Sequence, residues 1–298
     1  MENSGLIPTL AAMDVASLSR LARAADRILS RRPLHHHGHK SHHNRAGHSQ
    51  EFIDHRNYAR GDDLRAIDWR ASARSQYTQV RRYHDEAANS WLICLDRSAS
   101  MGVWGKEKWN LAVQMAAAWS YLALHSGNSA GLLAFSNDVD LVCPVGRGDV
   151  QYRSILNYLN RTRVSNQGGG SNLSSCASYI KPRSSIVVIS DFLTPDTMRA
   201  AMDHFFKIAT AVHLIQIISP NECCLPPGAT ATLRDIESGQ SIHINTASAA
   251  TAAEQQLGQL KKALENYCHA REFTLTSCLA DAPWFQVLSD HFKRMGMS

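Results

Sequence analysis

The stretch Trp91-Leu92-Ile93-Cys94-Leu95-Asp96-Arg97-Ser98-Ala99-Ser100 decides the fold of this chain. Its first five residues are uninterrupted by polar side chains, which is typical of a parallel strand covered on both faces. The polar residues that follow would then lie at the carboxyl end of the strand, where open α/β sheets bind ligands. Their pattern, D-x-S-x-S, supplies one carboxylate and two hydroxyls, and such hard oxygen donors suit Mg²⁺ or Mn²⁺. We therefore predict an α/β domain with a candidate metal loop at Asp96, Ser98 and Ser100.

Two later segments can contribute to the same site. Gly168-Gly169-Gly170-Ser171 is a glycine-rich turn that presents a hydroxyl just before a helical-looking stretch beginning at Leu173. The run 184–192 has the composition of a second buried strand, and it ends in Asp191. Three polar loops at one edge of a sheet can converge on one cation. Asp and Ser are also common in turns and helix caps, so the first loop alone fits a structural turn as well.

The order of these motifs resembles the metal-ion-dependent adhesion site of von Willebrand factor A domains. The shared features are D-x-S-x-S, a later Gly-Gly-[Ser/Thr] loop and a later aspartate at the end of a strand. The resemblance covers roughly residues 87–279. It implies a doubly wound, mostly parallel sheet flanked by helices, with Mg²⁺ or Mn²⁺ as the cofactor.

The resemblance also implies a role for each matching residue. Ser98 and Ser100 would bind the metal directly, whereas Asp96 and Asp191 would act mostly through water. Ser171 stands where the family has threonine. Serine keeps the oxygen but lacks the methyl group that restricts χ1, so we expect a looser site.

A second resemblance comes from residues 51–74, whose pattern is E-F-x-x-x-R-x-Y-x-x-G-D-D-x-R-x-I-D-W-x-x-S-A-R. This pattern is similar to the signature of the bacterial domain-of-unknown-function family numbered 58, which places it just before a von Willebrand A-like domain. The match extends over about residues 34–245. It implies an association with MoxR-type AAA+ ATPases, in which the protein acts as an adaptor for the chaperone-like assembly or maturation of other proteins.

Length and charge suggest one large domain and an accessory one. We expect an N-terminal helical segment at 1–33, a small β-rich, basic and His-rich accessory segment at 34–86, and the A-like domain at 87–298. Residues 1–86 hold 14 Lys and Arg against 10 Asp and Glu, so they account for +4 of the net charge of +5.

The accessory segment leaves several interpretations open. The histidines between 35 and 48 fit a solvated, weakly chelating loop or a metal site. The arginines alternate with acidic residues, which favours a salt-bridged scaffold over a nucleic-acid surface. Alternation at 67–70 predicts a half-buried strand, with 77–83 as its hairpin partner. The signature itself fits either a structural clamp or a partner-docking face.

Hydrophobic periodicity predicts further elements after the metal loop. We predict helices at 106–127, 150–159, 195–206 and 249–270. We predict strands at 130–135, 139–143, 212–218 and 273–278, and a hairpin at 231–244. Four large side chains lie at core spacing and are assigned to packing: Trp91, Met115, Trp109 and Trp119.

Location follows from features that the sequence lacks. No apolar run reaches the roughly 18 residues of a membrane span, and no secretory signal is visible at the amino terminus. The seven cysteines show no C-x-x-C spacing, which favours reduced thiols. We therefore expect a cytoplasmic protein.

Catalysis is not expected from these motifs. His125, His204 or His213 could be proposed as a general base beside a metal, but none has a spacing that places it near Asp96. No Walker A or G-x-S-x-G motif is present. The predicted function is a non-catalytic, metal-dependent protein-interaction module whose partner supplies a Glu or Asp to the metal. Nucleic-acid binding through the basic segment is the alternative, and a metal-dependent hydrolase is the third interpretation.

Overall fold

A computed structural model describes most of the chain. The described residues are 8–11, 13–29, 52–58, 67–75, 77–83, 90–103, 105–165, 170–193, 195–223, 231–234, 241–244 and 246–296. They divide into two compact units, one formed by Met1–Pro33 with Ser90–Ser298 and the other by Leu34–Asn89. The N-terminal helical segment, which the sequence suggested as a separate segment, therefore belongs to the larger unit.

Helices and strands are each numbered in chain order. The helices are α1 (Pro8–Ala11), α2 (Val15–Leu29), α3 (Trp69–Ser72), α4 (Glu107–His125), α5 (Gly148–Arg161), α6 (Pro195–Ile208), α7 (Pro220–Cys223), α8 (Thr246–Ala270) and α9 (Trp284–Gly296). The strands are β1 (Phe52–Asn57), β2 (Gln79–Tyr83), β3 (Ser90–Asp96), β4 (Ser129–Phe135), β5 (Val139–Gly146), β6 (Ser185–Ser190), β7 (Ala211–Ile218), β8 (Ala231–Arg234), β9 (Ser241–Ile244) and β10 (Thr274–Leu279). The helical-looking stretch after Ser171 is a 3₁₀-helix, Leu173–Tyr179.

The larger unit is built on a six-stranded sheet in the order β10-β7-β6-β3-β4-β5. All neighbouring strands are parallel except β4 and β5, which are antiparallel. This confirms the predicted α/β fold with a mostly parallel sheet flanked by helices. The chain moves from β3 to β4 in one direction and later returns to place β6 on the other side of β3. The strand order thus reverses between β3 and β6, and such a point is where open α/β sheets bind ligands.

Helices cover both faces of this sheet, which explains its uninterrupted apolar strands. α1, α2, α4, α5 and α9 pack on one face, whereas α6, α8 and the 3₁₀-helix pack on the other. α4 is buried along most of its length, and its Trp119 and Met115 are fully buried. Trp91 and Trp109 are also buried, which confirms their assignment to packing. Within the described ranges, no helix combines the length and the apolar character needed to cross a bilayer.

Two histidines form a buried hydrogen-bonded pair on the face of the sheet that α4 and α9 cover. Nδ1 of His213, in β7, lies 3.2 Å from Nε2 of His291, in α9. The other ring nitrogen of His291, Nδ1, lies 2.9 Å from Thr276 Oγ1. The rings of Trp91 and Trp119 pack around His213. Burial lowers the pKa of His213 from its ordinary value of 6.5 to about 3, and burial together with His213 also lowers the pKa of His291. Both imidazoles are therefore neutral in the folded protein near neutral pH.

This pair predicts a dependence of stability on pH. Below pH 6.5 the unfolded chain binds protons that the folded chain excludes, so the free energy of unfolding should fall as the pH decreases towards 3. We expect ¹⁵N NMR of the imidazole of His213 to show the neutral form at pH 5 to 6.5, well above its pKa of about 3, for as long as the protein stays folded. A charged imidazole in folded protein at pH 5 to 6 would contradict the buried arrangement.

The smaller unit corrects one prediction and leaves others untested. The strand predicted at 67–70 is wrong, because Asp68 instead caps α3 by accepting hydrogen bonds from the amides of Arg70 and Ala71. Trp69 is consequently 69% exposed. The partner of β2 is β1, and Ile67 forms only an isolated bridge with Val80. The His-rich tract and the Gly61-Asp62-Asp63 turn lie outside the described residues.

Candidate metal centre

Asp96 lies at the carboxyl end of β3 and is fully buried. Its Oδ1 accepts a hydrogen bond of 2.8 Å from the amide of Ser98. Its Oδ2 accepts two hydrogen bonds of 2.7 Å, from the hydroxyls of Ser171 and Ser190. A buried carboxylate is tolerated only when it is hydrogen-bonded in this way. The three donors come from three separate segments, namely the loop after β3, the loop before the 3₁₀-helix and the end of β6, which Asp96 thereby holds together.

The two serines of the first loop present their hydroxyls side by side. Ser98 Oγ and Ser100 Oγ are 3.0 Å apart, and Ser98 is fully buried. The loop continues directly into a 3₁₀-helix at Ala99–Gly102, whose first bond runs from the amide of Met101 to the carbonyl of Ser98. This tight turn directs both hydroxyls to one place.

Asp191, at the end of β6, makes an ion pair with a buried lysine. The ammonium group of Lys108 lies 2.9 Å from Asp191 Oδ2 and 2.5 Å from Glu222 Oε1, and it donates a hydrogen bond of 3.0 Å to the carbonyl of Ser100. The side chains of Lys108 and Asp191 are 1% and 3% exposed. Asp191 Oδ2 therefore lies within about 6 Å of the first loop, because one nitrogen contacts both.

We refer to these residues together as the carboxyl-end cluster. Its members are Asp96, Ser98, Ser100, Lys108, Ser171, Ser190, Asp191 and Glu222. All five residues predicted from the sequence belong to it: Asp96, Ser98, Ser100, Ser171 and Asp191.

The cluster carries more negative than positive charge. Burial and the nearby carboxylate of Asp191 raise the pKa of Asp96, although the hydrogen bonds from Ser171, Ser190 and Ser98 oppose this shift. Burial also disfavours the ammonium of Lys108, but Asp191 and Glu222 outweigh that effect and raise its pKa. Lys108 thus pairs with two of the three carboxylates, Asp191 and Glu222, and a further cation would lower the electrostatic cost of the charged state of the cluster.

The donor set fits a small, hard cation. Two ligand oxygens about 2.1 Å from Mg²⁺ and at right angles to each other are about 3.0 Å apart. The hydroxyl oxygens of Ser98 and Ser100, which are hydrogen-bonded to each other, have this separation, 3.0 Å. Among the described residues, no group of three or more His, Cys, Asp or Glu side chains is arranged to hold a metal. A cation here would depend mainly on hydroxyl oxygens.

Sequence reasoning missed three members of the cluster. Lys108 precedes the buried Ala112 by four residues, and this helical spacing places both on the same buried face. That signal was present in the sequence. Ser190 is placed beside Asp96 by the pairing of Leu95 with Ile189, a register that the sequence does not reveal. Glu222 contacts Lys108 across 114 positions of the sequence, a long-range contact that no local pattern reveals.

The histidines proposed as general bases do not belong to the cluster. His213 is buried near the amino end of β7, and His204 is exposed on α6. His125 ends α4, whereas Lys108 begins it, so about 25 Å of helix separates His125 from the cluster.

The fold and the cluster define an α/β protein with a buried, oxygen-rich centre at the switch point of its sheet. Residues 54–262 match the family model described as Protein of unknown function DUF58. The chain therefore belongs to the DUF58 family.

Relatives with this similarity include two bacterial proteins. The uncharacterized protein Rv1480 of Mycobacterium tuberculosis is 29% identical over 189 residues, which cover 61% of this chain and 59% of that protein. The uncharacterized protein YeaD of Bacillus subtilis is 25% identical over 112 residues, which cover 38% of this chain and 26% of that protein. The matched region thus spans little more than half of the first relative and about a quarter of the second.

A solved structure with partial similarity is that of the conserved hypothetical protein BatB from Bacteroides thetaiotaomicron. The two chains are 15% identical in sequence, and their TM-score is 0.41. The alignment covers 70% of this chain and 99% of the BatB chain.

Lys108 should be important for stability. In Lys108→Met the carboxylates of Asp191 and Glu222 lose their shared counter-charge, and breaking a buried ion pair from one side costs about 3–5 kcal/mol. We expect a loss of this size in the free energy of unfolding, measured by urea denaturation in the presence of EDTA.

The matched control is Lys106→Met, two residues earlier and exposed. Its free energy of unfolding should stay within about 0.5 kcal/mol of the wild-type value. Equal urea midpoints for the two variants would show that Lys108 does not hold the cluster together.

Proposed function

We propose that this protein is a non-catalytic, divalent-metal-dependent protein-interaction module of the von Willebrand A-like type. The observation that carries the proposal is the convergence of Asp96, Ser98, Ser100, Ser171 and Asp191 at the switch point of the sheet. These residues come from three separate loops. Nothing in the packing of the strands alone requires so many oxygen atoms at one place.

Mg²⁺, or Mn²⁺, is the proposed cofactor, and it would supply positive charge and a coordination position for an acidic side chain of a partner. Ser98, Ser100 and Ser171 would hold it through their hydroxyl oxygens. Asp96 and Asp191 would act mainly through water, since each already accepts hydrogen bonds from the protein. Lys108 would keep Asp191 charged and fixed in position.

The proposed partner is a protein that presents a Glu or Asp, and a MoxR-type AAA+ ATPase is the candidate class. Membership of the DUF58 family supports this choice through the family resemblance. The protein would then serve as an adaptor in the assembly or maturation of other proteins in the cytoplasm.

The proposal is tested by affinity capture with Mg²⁺ and with EDTA. We expect Asp96→Ala and Ser98→Ala to keep the circular dichroism of the wild type and to lose the Mg²⁺-dependent partner, because each variant removes an oxygen donor from the centre. Ser154→Ala is the control, since its hydroxyl is exposed on α5 and bonds only locally to the carbonyl of Val150. The control should capture the partner as well as the wild type does.

Three outcomes would count against the proposal. Undiminished capture of the partner by both variants would show that partner binding does not need the metal centre. Metal-independent capture of nucleic acid, without a metal-sensitive protein partner, would favour the nucleic-acid alternative. Turnover of phosphoester or peptide substrates that Asp96→Ala abolishes would favour the hydrolase.

A further inference from the structure

We infer that a groove beside the carboxyl-end cluster binds an extended acidic segment of the partner protein and thereby selects the partner. This inference rests on the proposed function and adds to it, because a metal alone does not distinguish one acidic side chain from another. The groove encloses about 780 Å³, which is within the range of ligand-binding pockets.

The groove begins at the metal loop itself. Ala99, which lines it, lies between the two serines of the D-x-S-x-S motif. Gly102 and Val103 continue the same wall. Ser98 and Ser100 flank Ala99 in the sequence but do not line the groove themselves, so a segment lying in it would pass one residue away from them.

The opposite wall, residues 163–165, is joined firmly to the loop. The amide of Ser165 donates a hydrogen bond of 2.7 Å to the carbonyl of Arg97, and Arg97 Nε donates one of 2.8 Å to the carbonyl of Arg163. Val164 packs so closely on Gly102 that a Cβ at that position would lie 3.0 Å from Val164 Cγ1. The two walls are thus parts of one rigid structure, and the groove needs no rearrangement to exist.

Apolar side chains form part of the groove. Val103 and Val164 are half-buried, and Trp109, from the first turn of α4, is 8% exposed. A partly exposed apolar surface of this kind favours contact with an apolar side chain of a partner.

Among the described residues that line the groove, the two charged ones are basic. Lys106 and Arg163 are exposed and line it, whereas the carboxylate of Glu107 lies against Gly105, another lining residue, so two basic groups face one acidic group. Arg163 Nη1 donates hydrogen bonds of 2.7 Å to the carbonyls of Asn160 and Thr162. Those carbonyls carry no net charge, so they fix the guanidinium in place without neutralising it.

These features specify the chemistry of the occupant. One Glu or Asp would approach the centre from the end of the groove at Ala99, an adjacent apolar side chain would contact Val103 and Val164, and a further acidic residue would pair with Lys106 or Arg163. Charge complementarity favours an acidic peptide segment over a basic or neutral one.

The test uses a display library of random peptides, selected on the full chain in Mg²⁺ and eluted with EDTA. We expect the enriched sequences to combine an acidic residue, a neighbouring apolar residue and a second acidic residue. Synthetic copies of these peptides are then measured by fluorescence anisotropy. Their affinity for the double variant Lys106→Glu/Arg163→Glu should be about tenfold or more lower than for the wild type, because two attractive charges become repulsive.

Matched controls separate this effect from net charge and from misfolding. Lys181→Glu/Lys261→Glu makes the same change of charge at exposed positions outside the groove and should bind within about twofold of the wild type. Lys106→Glu alone changes an exposed side chain, and it should still weaken binding if the double variant proves unstable.

The outcomes distinguish the groove from the centre. Mg²⁺-dependent peptides that bind the groove variants and the wild type equally would overturn the inference and leave the proposed function standing. Groove-dependent binding that is as strong in Asp96→Ala as in the wild type would overturn the proposed function instead. Enrichment of peptides without acidic residues, or no enrichment at all, would contradict both.

Discussion

The burial of one carboxylate, that of Asp96, constrains everything around it. A charged group at the end of a covered strand loses its water and costs several kcal/mol unless the protein replaces the lost hydrogen bonds. Here the amide of Ser98 and the hydroxyls of Ser171 and Ser190 do so, and they bring two loops and the end of β6 to one point. Even so, burial and Asp191 keep the pKa of Asp96 raised. The carboxylate of Asp96 thus has its hydrogen bonds satisfied, but its negative charge is not balanced by a neighbouring positive group. Such a site is suited to a cation.

Lys108 supplies the second half of this organisation. Its ammonium group connects the loop after β3, through the carbonyl of Ser100, with Asp191 after β6 and Glu222 after β7. The carboxyl ends of three parallel strands are therefore tied together from within, independently of any ligand. The same α4 that carries Lys108 also presents Trp109 to the neighbouring groove. Helix α4 therefore contributes to the rigidity of the centre through Lys108 and to the shape of the adjacent groove through Trp109.

The sequence alone predicts the central strands and the aspartates at their ends. It does not predict features that depend on strand pairing or on the capping of a helix. Uninterrupted apolar runs located β3 and β6, and the polar residues that end these runs located Asp96 and Asp191. The position of Ser190 beside Asp96 follows from strand register, a long-range property that no local pattern reveals. In the smaller unit, alternation suggested a strand at 67–70, but the side chain of Asp68 caps a helical turn there and competes successfully with the extended conformation. The burial of Lys108 was implied by its spacing from Ala112, yet the charge of lysine argued against a core position.

The central claim is that the oxygen atoms of this cluster hold a divalent cation, and anomalous diffraction from crystals grown with Mn²⁺ tests it most directly. We expect an anomalous difference peak about 2.1 Å from the hydroxyl oxygens of both Ser98 and Ser100, with Asp96 and Asp191 close by. Well-ordered crystals in which this position shows no peak, while Mn²⁺ is bound elsewhere on the protein, would contradict the claim.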